Sequence, residues 1–307
     1  MKKFTGLLLL LLAGILFAET IDVTKSEGTD QSIITSLTPA PTSPEVDANV
    51  TIEAVFNEAL NPMSIQHSVM LKRLSGQKKT WGMFGFGVSK SKDETIDGTI
   101  AYDQNENRLS FTPDTPLAVG FYETTFKNLM KKMPGMDMRI KPIVYRFYVP
   151  EVINGFKLPP EPDEKKNNKT LLGIDFNRNG IRDDLERWVI NKYANSDYPK
   201  HKTQLGLQWG RVIQKIIQTP QTAYEDKKYL LIDKAHECRY STYEKLGESL
   251  NYGIDNRIFN DEYVSKAFNT KERIEAYYRF NSNLSGHVFG DHRFEKPCDF
   301  DLESIEE

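Results

Sequence analysis

The chain opens on an apolar run, Leu7 to Phe17, preceded by Lys2 and Lys3 and followed by the small residue Ala18. A basic end, a short apolar stretch and a small residue make up a secretory signal peptide, so residues 1–18 are expected to be removed on export. The run is shorter than the ~20 residues of a comfortable membrane span, and no Cys follows it to carry a lipid. An uncleaved anchor is the alternative, and the short flanks fit cleavage better. Residues 19–36 are polar and read as a flexible leader. From Leu37 the pattern changes to short apolar runs between turn residues. Thr51–Phe56 alternates, with Ile52, Ala54 and Phe56 on one face. Runs at 68–71, 98–102, 108–111, 122–126 and 143–149 are further strands, separated by turn clusters such as Asp103 to Asn107. Short strands punctuated in this way predict an all-β sandwich over residues 37–149.

Beyond residue 186 the period changes. Leu205, Trp209, Val212, Ile213, Ile216 and Ile217 form a stripe at helical spacing. Tyr229 to Cys238 continues in the same manner, and Thr270-Lys271-Glu272-Arg273 opens another helix with a capping residue. About four helices in a small bundle are expected, so the chain is multidomain, with a sandwich followed by a small all-α domain. Between them, residues 150–172 include the Pro-rich and then charged stretch 157–169, which reads as a solvated linker.

Pro39, the strand ending at Phe56, Asn61-Pro62-Met63, Leu109 to Pro113 and the Gly120-Phe121 pair resemble the bacterial Ig-like domain of S-layer and other surface proteins. The resemblance spans about residues 37–149 and implies a spacer or adhesive module without catalytic residues. Residues 72–97, with Trp81 to Gly87, look like an insertion into that pattern. The run suits a hairpin whose aromatics fold back on the sandwich, or else a partner contact.

Directly after the linker, Asp175 to Glu186 has the spacing of an EF-hand loop. Asp175, Asn177 and Asn179 fill positions 1, 3 and 5, and Gly180 fills the turn position. Ile181 offers its carbonyl at 7, Asp183 stands at 9, and Glu186 at 12 is able to bind through both oxygens. Hard oxygen donors in this order predict Ca2+. A capped turn without metal is the competing reading, since Asn and Gly favour left-handed turns and acids suit a helix start. Leu185, Trp188, Val189 and Tyr193 predict an exiting helix, whereas the linker leaves no room for an entering one. The loop therefore resembles those of thrombospondin type 3 repeats and dockerins, which implies structural rather than sensing calcium. Two neutral Asn donors and the neighbouring Arg178, Arg182 and Arg187 point to an affinity on the order of 10⁻⁴ to 10⁻³ M. Asn269 to Arg273, Leu284-Ser285-Gly286 and Cys298-Asp299-Phe300 look like a group of uncharacterised exported bacterial proteins, a resemblance that carries no activity with it.

A net charge of -3 gives no electrostatic reason to expect nucleic acid as a partner. The two cysteines, Cys238 and Cys298, are expected to form a disulfide in an oxidising compartment. Catalytic patterns are thin. His236-Glu237 lacks the second His of a zinc-protease helix, and Ser285 lacks the Gly-x-Ser-x-Gly elbow. His236, Cys238, His287, Asp291 and His292 are left as an alternative zinc set. Asp233, Glu237 and Glu244 form an acidic row of the kind usually found on a solvated face.

The expectation is an exported protein, periplasmic, cell-surface or secreted, with no membrane span once the signal is cleaved. It would be a non-catalytic calcium-binding module for an envelope or surface protein or glycan. The alternative is an envelope polymer hydrolase whose helical domain is catalytic.

Overall fold

The computed structural model describes residues 33–75, 77–82, 85–90, 93–132, 138–247, 261–290 and 292–307, with only the backbone at 77–82 and 85–90. The expected signal segment and most of the expected leader lie outside them. The chain divides into two compact units, residues 1–149 and 150–307.

The first unit is built from two four-stranded antiparallel sheets. One runs β1 (Ile34–Thr38), β2 (Ile52–Phe56), β8 (Arg108–Pro113) and β7 (Gly98–Asp103), and the other β12 (Ile143–Val149), β9 (Gly120–Phe126), β3 (Val69–Arg73) and β6 (Glu94–Ile96). The period-2 alternation decides which face is buried: Ile52, Ala54 and Phe56 are enclosed while Glu53 and Val55 between them are half-exposed. They pack with Leu71, Leu109, Phe111, Tyr122, Phe126 and Phe147 in one core. Tyr122 is fully buried, and its hydroxyl donates to the carbonyl of Ala118 at 2.7 Å, as in the tyrosine corner of Ig-type sandwiches.

Strand β1 lies partly inside the stretch expected as leader. Ile33, Ile34 and Leu37 pack against the core while the backbone pairs with β2, and this gain outweighs the polar residues around them. Within 72–97 the backbone forms a hairpin, β4 (Gln77–Gly82) with β5 (Gly85–Lys90), and then the edge strand β6. The orientation of the Trp81 and Phe86 side chains, and all of Met83 and Phe84, lie outside the description. A short ribbon, β10 (Met130–Lys131) with β11 (Met138–Arg139), completes the unit.

The second unit is helical. Residues 150–172, expected as a linker, fold into a hairpin of β13 (Val152–Ile153) and β14 (Phe156–Lys157) and a single turn, α1 (Glu164–Asn167). Leu158 and Asn167 are buried, and Ile153 and Phe156 join the core, so a few apolar residues among prolines and charges suffice to pack the stretch. Then follow α2 (Asp183–Tyr193), α3 (Pro199–Gln218), α4 (Tyr229–Lys245), α5 (Asp261–Ala267) and α6 (Lys271–Leu284), making six helices among the described residues. The predicted stripe of α3 is buried from Leu205 to Ile217. Thr270 caps α6 by accepting from the N–H of Arg273 at 3.3 Å. Cys238 on α4 is bonded to Cys298, so the C-terminal segment is stapled to the bundle. Among the described residues, no helix is long and apolar enough to cross a membrane.

Candidate metal centre

The loop from Asp175 to Glu186 connects the turn after α1 to the first residues of α2. Gly180 has φ +83°, the left-handed conformation that its turn position demands. Side chains then close the loop on itself. Asp175 accepts the N–H of Asn179 on Oδ1 at 3.1 Å and that of Gly180 on Oδ2 at 2.9 Å. Asn177 Oδ1 accepts from Asn179 N at 3.3 Å, and Asn179 Oδ1 from Ile181 N at 2.9 Å. Across the loop, Asn179 Nδ2 donates to Glu186 Oε1 at 2.7 Å, and Asn177 Nδ2 lies 3.3 Å from Oε2. The side chains at positions 1, 3, 5 and 12 are thus linked in one network, which assigns each amide its orientation.

Ile181 is fully buried and fits against Gly210 of α3, where an added Cβ would come within 2.9 Å of its Cγ2. This contact seats the middle of the loop on the bundle. Asp183 and Glu186 are buried at the start of α2, 1% and 4% exposed. Asp183 Oδ1 accepts from Phe176 N at 2.9 Å, but its Oδ2 has no hydrogen-bond partner among the described residues. Burial pushes the Asp183 carboxyl up to about 8 despite the Phe176 N–H, and the carboxylates of Glu186, Asp175 and Asp184 push in the same direction. Asp175 is also raised, by burial, against the pull of its backbone donors. A buried carboxylate with an unsatisfied oxygen, facing others of its own sign, calls for either a proton or a cation. In this respect the oxygen-rich donor set fits calcium.

The arginines around the loop engage other groups. Arg182 binds Asp184 and the backbone carbonyls of Lys266 and Ala267. Arg187 reaches Glu161 and the Pro159 carbonyl, and Arg211, whose Cγ lies beside Gly180, makes a two-pronged pair with Asp299 at 2.5 and 2.8 Å. Arg178, by contrast, acts on the Asp175 carboxylate and favours its ionised form.

The other candidate set does not come together. The Cys238 sulfur is spent in the disulfide, His236 lies edge-on to Trp209, and His287 stacks on Tyr224 with ring centres 3.5 Å apart. His292 Nδ1 is 3.6 Å from Asp233 Oδ2, and Asp291 lies outside the described residues. Burial lowers the His236 pKa, with Arg239 acting in the same sense. Among the described residues, no three or more His, Cys, Asp or Glu gather as a metal-binding group, Asp175, Asp183 and Glu186 of the loop included. Of the acidic row, Glu237 accepts from Phe294 N at 3.0 Å and Asp233 faces His292, so both hold the C-terminal segment.

The locking role of two residues is not marked in the sequence: Arg182 reads there as a charge beside the loop, and Arg273 only as part of a helix start. Both are fully buried, and no local periodicity marks them, because their partners lie far along the chain.

Comparison with known proteins places the first unit. Residues 28–136 match the family model of the bacterial Ig-like domain, and the sandwich is a domain of that class. No curated protein matches the chain. Among solved structures, two of PcoC, a copper resistance protein from Escherichia coli, are 19% and 16% identical. Each has a TM-score of 0.27, and the likeness covers 38% and 39% of this chain and 97% and 99% of theirs. Domains 1–6 of the surface layer protein SbsC are 9% identical with a TM-score of 0.25, over 39% of this chain and 14% of that one.

Proposed function

We propose that this is an exported protein in which an Ig-like domain accompanies a helical unit that holds one structural calcium ion. The side chains of Asp175, Asn177, Asn179, Asp183 and Glu186 and the carbonyl of Ile181 would bind it, as a hard cation requires. The observation that carries this reading is the carboxylate of Asp183, buried beside like charges with one oxygen unpartnered. A divalent ion supplies the missing charge, and the unit then gains stability through mass action. With no entering helix and a single such loop among the described residues, the ion serves to fix the start of α2 rather than to sense a signal. Export is supported by the N-terminal apolar run, the disulfide and the bacterial Ig-like class of the sandwich. The module would serve an envelope or surface protein or glycan.

Isothermal titration of the full chain with calcium tests this reading. One ion should bind per chain with a Kd on the order of 10⁻⁴ to 10⁻³ M, and Glu186→Gln should weaken it at least tenfold. A wild-type chain that takes up no calcium at 10 mM sinks the proposal.

A further inference from the structure

Arg182 stands between two of the proposed ligands, Ile181 and Asp183, yet its side chain leaves the loop. It is fully buried, and its guanidinium donates from Nη1 to the Ala267 carbonyl at 2.9 Å and from Nη2 to the Lys266 carbonyl at 2.6 Å. These carbonyls end α5, where a helix leaves acceptors without intrahelical partners. Its Nε pairs with Asp184, so the charge is neutralised. Gly173, with φ +75°, lets the chain pass close to it; a Cβ there would fall 2.6 Å from Arg182 Cδ and from Asn167 Oδ1.

A second buried arginine fastens the next helix. Arg273, in the first turn of α6, donates to the carbonyls of Asn167, Thr170 and Leu171 at 2.8, 3.2 and 3.0 Å and to Asn168 Oδ1 at 3.0 Å. This turn leads directly into the loop, and Asn167 Oδ1 accepts from Ile174 N while Ile174 O accepts from Asp183 N. On α5, buried Tyr263 donates to the Gly206 carbonyl and meets Trp188 of α2 edge-on with ring centres 5.4 Å apart.

The α5–α6 pair is therefore held by groups that the loop itself positions: the Arg182 backbone inside it, the 167–171 turn before it and Trp188 after it. Two buried guanidinium groups cannot be half-docked, because each lost partner leaves an uncompensated donor or charge in the interior. Docking is accordingly all-or-none. We infer that cation binding at the 175–186 loop governs the docking of α5 and α6, with Arg182 as the coupling residue. This rests on the calcium reading above. An ion that ties Asp175 to Glu186 sets the backbone on both sides of Arg182 and so favours the docked state. By linkage, docking strengthens cation binding by the same factor.

The test is amide hydrogen exchange of the full chain in chelator and in 10 mM calcium, alongside titration calorimetry. Calcium should slow exchange across 261–284 at least tenfold, together with the loop. In Arg182→Met the loop should still bind calcium, several-fold more weakly, and exchange across 261–284 should no longer respond. Should that variant fail to fold, the wild type decides the matter: calcium must slow 261–284 more than α3 at 199–218, because stabilisation of the unit as a whole would slow both alike. Calcium that binds and protects 175–190 while leaving 261–284 unchanged overturns the coupling and leaves the calcium site standing. A chain with no binding heat and no protection anywhere overturns both.

Discussion

Asn179 donates its side-chain amide to Glu186 at 2.7 Å, and this bond closes the loop from its fifth position to its twelfth. It has a consequence for mutation. Gln at 186 keeps an acceptor for Asn179 but loses the charge that a divalent ion needs. Glu186→Gln should therefore leave the stability in chelator within about 1 kcal/mol of wild type and abolish most of the melting-temperature shift on adding calcium. Thermal melts of the two proteins with and without the ion check this.

The buried carboxylate of Asp183 gives the calcium-free protein an unusual pH dependence. Its carboxyl is raised from 3.8 to about 8 on folding, so between these values the folded state holds more protons than the unfolded state. For such a group the stabilisation is complete below pH 3.8 and is lost as pH rises through about 8. In chelator, the helical unit should weaken from pH 5 to pH 8 by up to about 1.4 kcal/mol per unit. Asp183→Asn should flatten this slope and raise the chelator melting point at pH 8. Calcium needs the ionised form, so its affinity should rise over the same range.

The disulfide encloses a long loop, with Cys238 and Cys298 separated by 60 residues. Opening it frees the unfolded chain and releases the C-terminal segment from α4. Cys298→Ser should cost the helical unit about 2–5 kcal/mol. Denaturant unfolding followed by far-ultraviolet circular dichroism at a helical wavelength would read the change.

In the sandwich, Tyr122→Phe deletes the hydroxyl that satisfies the Ala118 carbonyl. Its cost should be about 1–2 kcal/mol, the same with and without calcium. Urea unfolding of the β-unit, monitored in both conditions, provides the comparison, and a calcium-dependent cost would contradict the assignment of the ion to the second unit.

Much of the architecture was legible because it rests on local periodicity. Ile52, Ala54 and Phe56 at alternate positions, and Leu205 to Ile217 at three- and four-residue steps, state their buried faces outright. Gly180 was legible as well, since its turn position requires the left-handed backbone it adopts. The pairing of Cys238 with Cys298 followed from there being only two cysteines and from the export that the N-terminal run leads one to expect. Strand β1 and the packed stretch 150–172 were not, because each contributes only a few apolar residues within polar or Pro-rich surroundings. Arg182 was least legible. It reads as a charge that weakens the loop's field, whereas its partners at 266 and 267 lie more than eighty residues away, where sequence spacing carries no information. Long-range polar pairing, rather than hydrophobic pattern, is what the sequence conceals here.

The central claim is that calcium stabilises the helical unit, and differential scanning calorimetry of the full chain at pH 7.5 tests it most directly. In 10 mM calcium the transition of the helical unit should rise by about 3–10 °C over that in chelator, while the transition of the sandwich stays where it was. Identical thermograms in the two conditions would contradict the account.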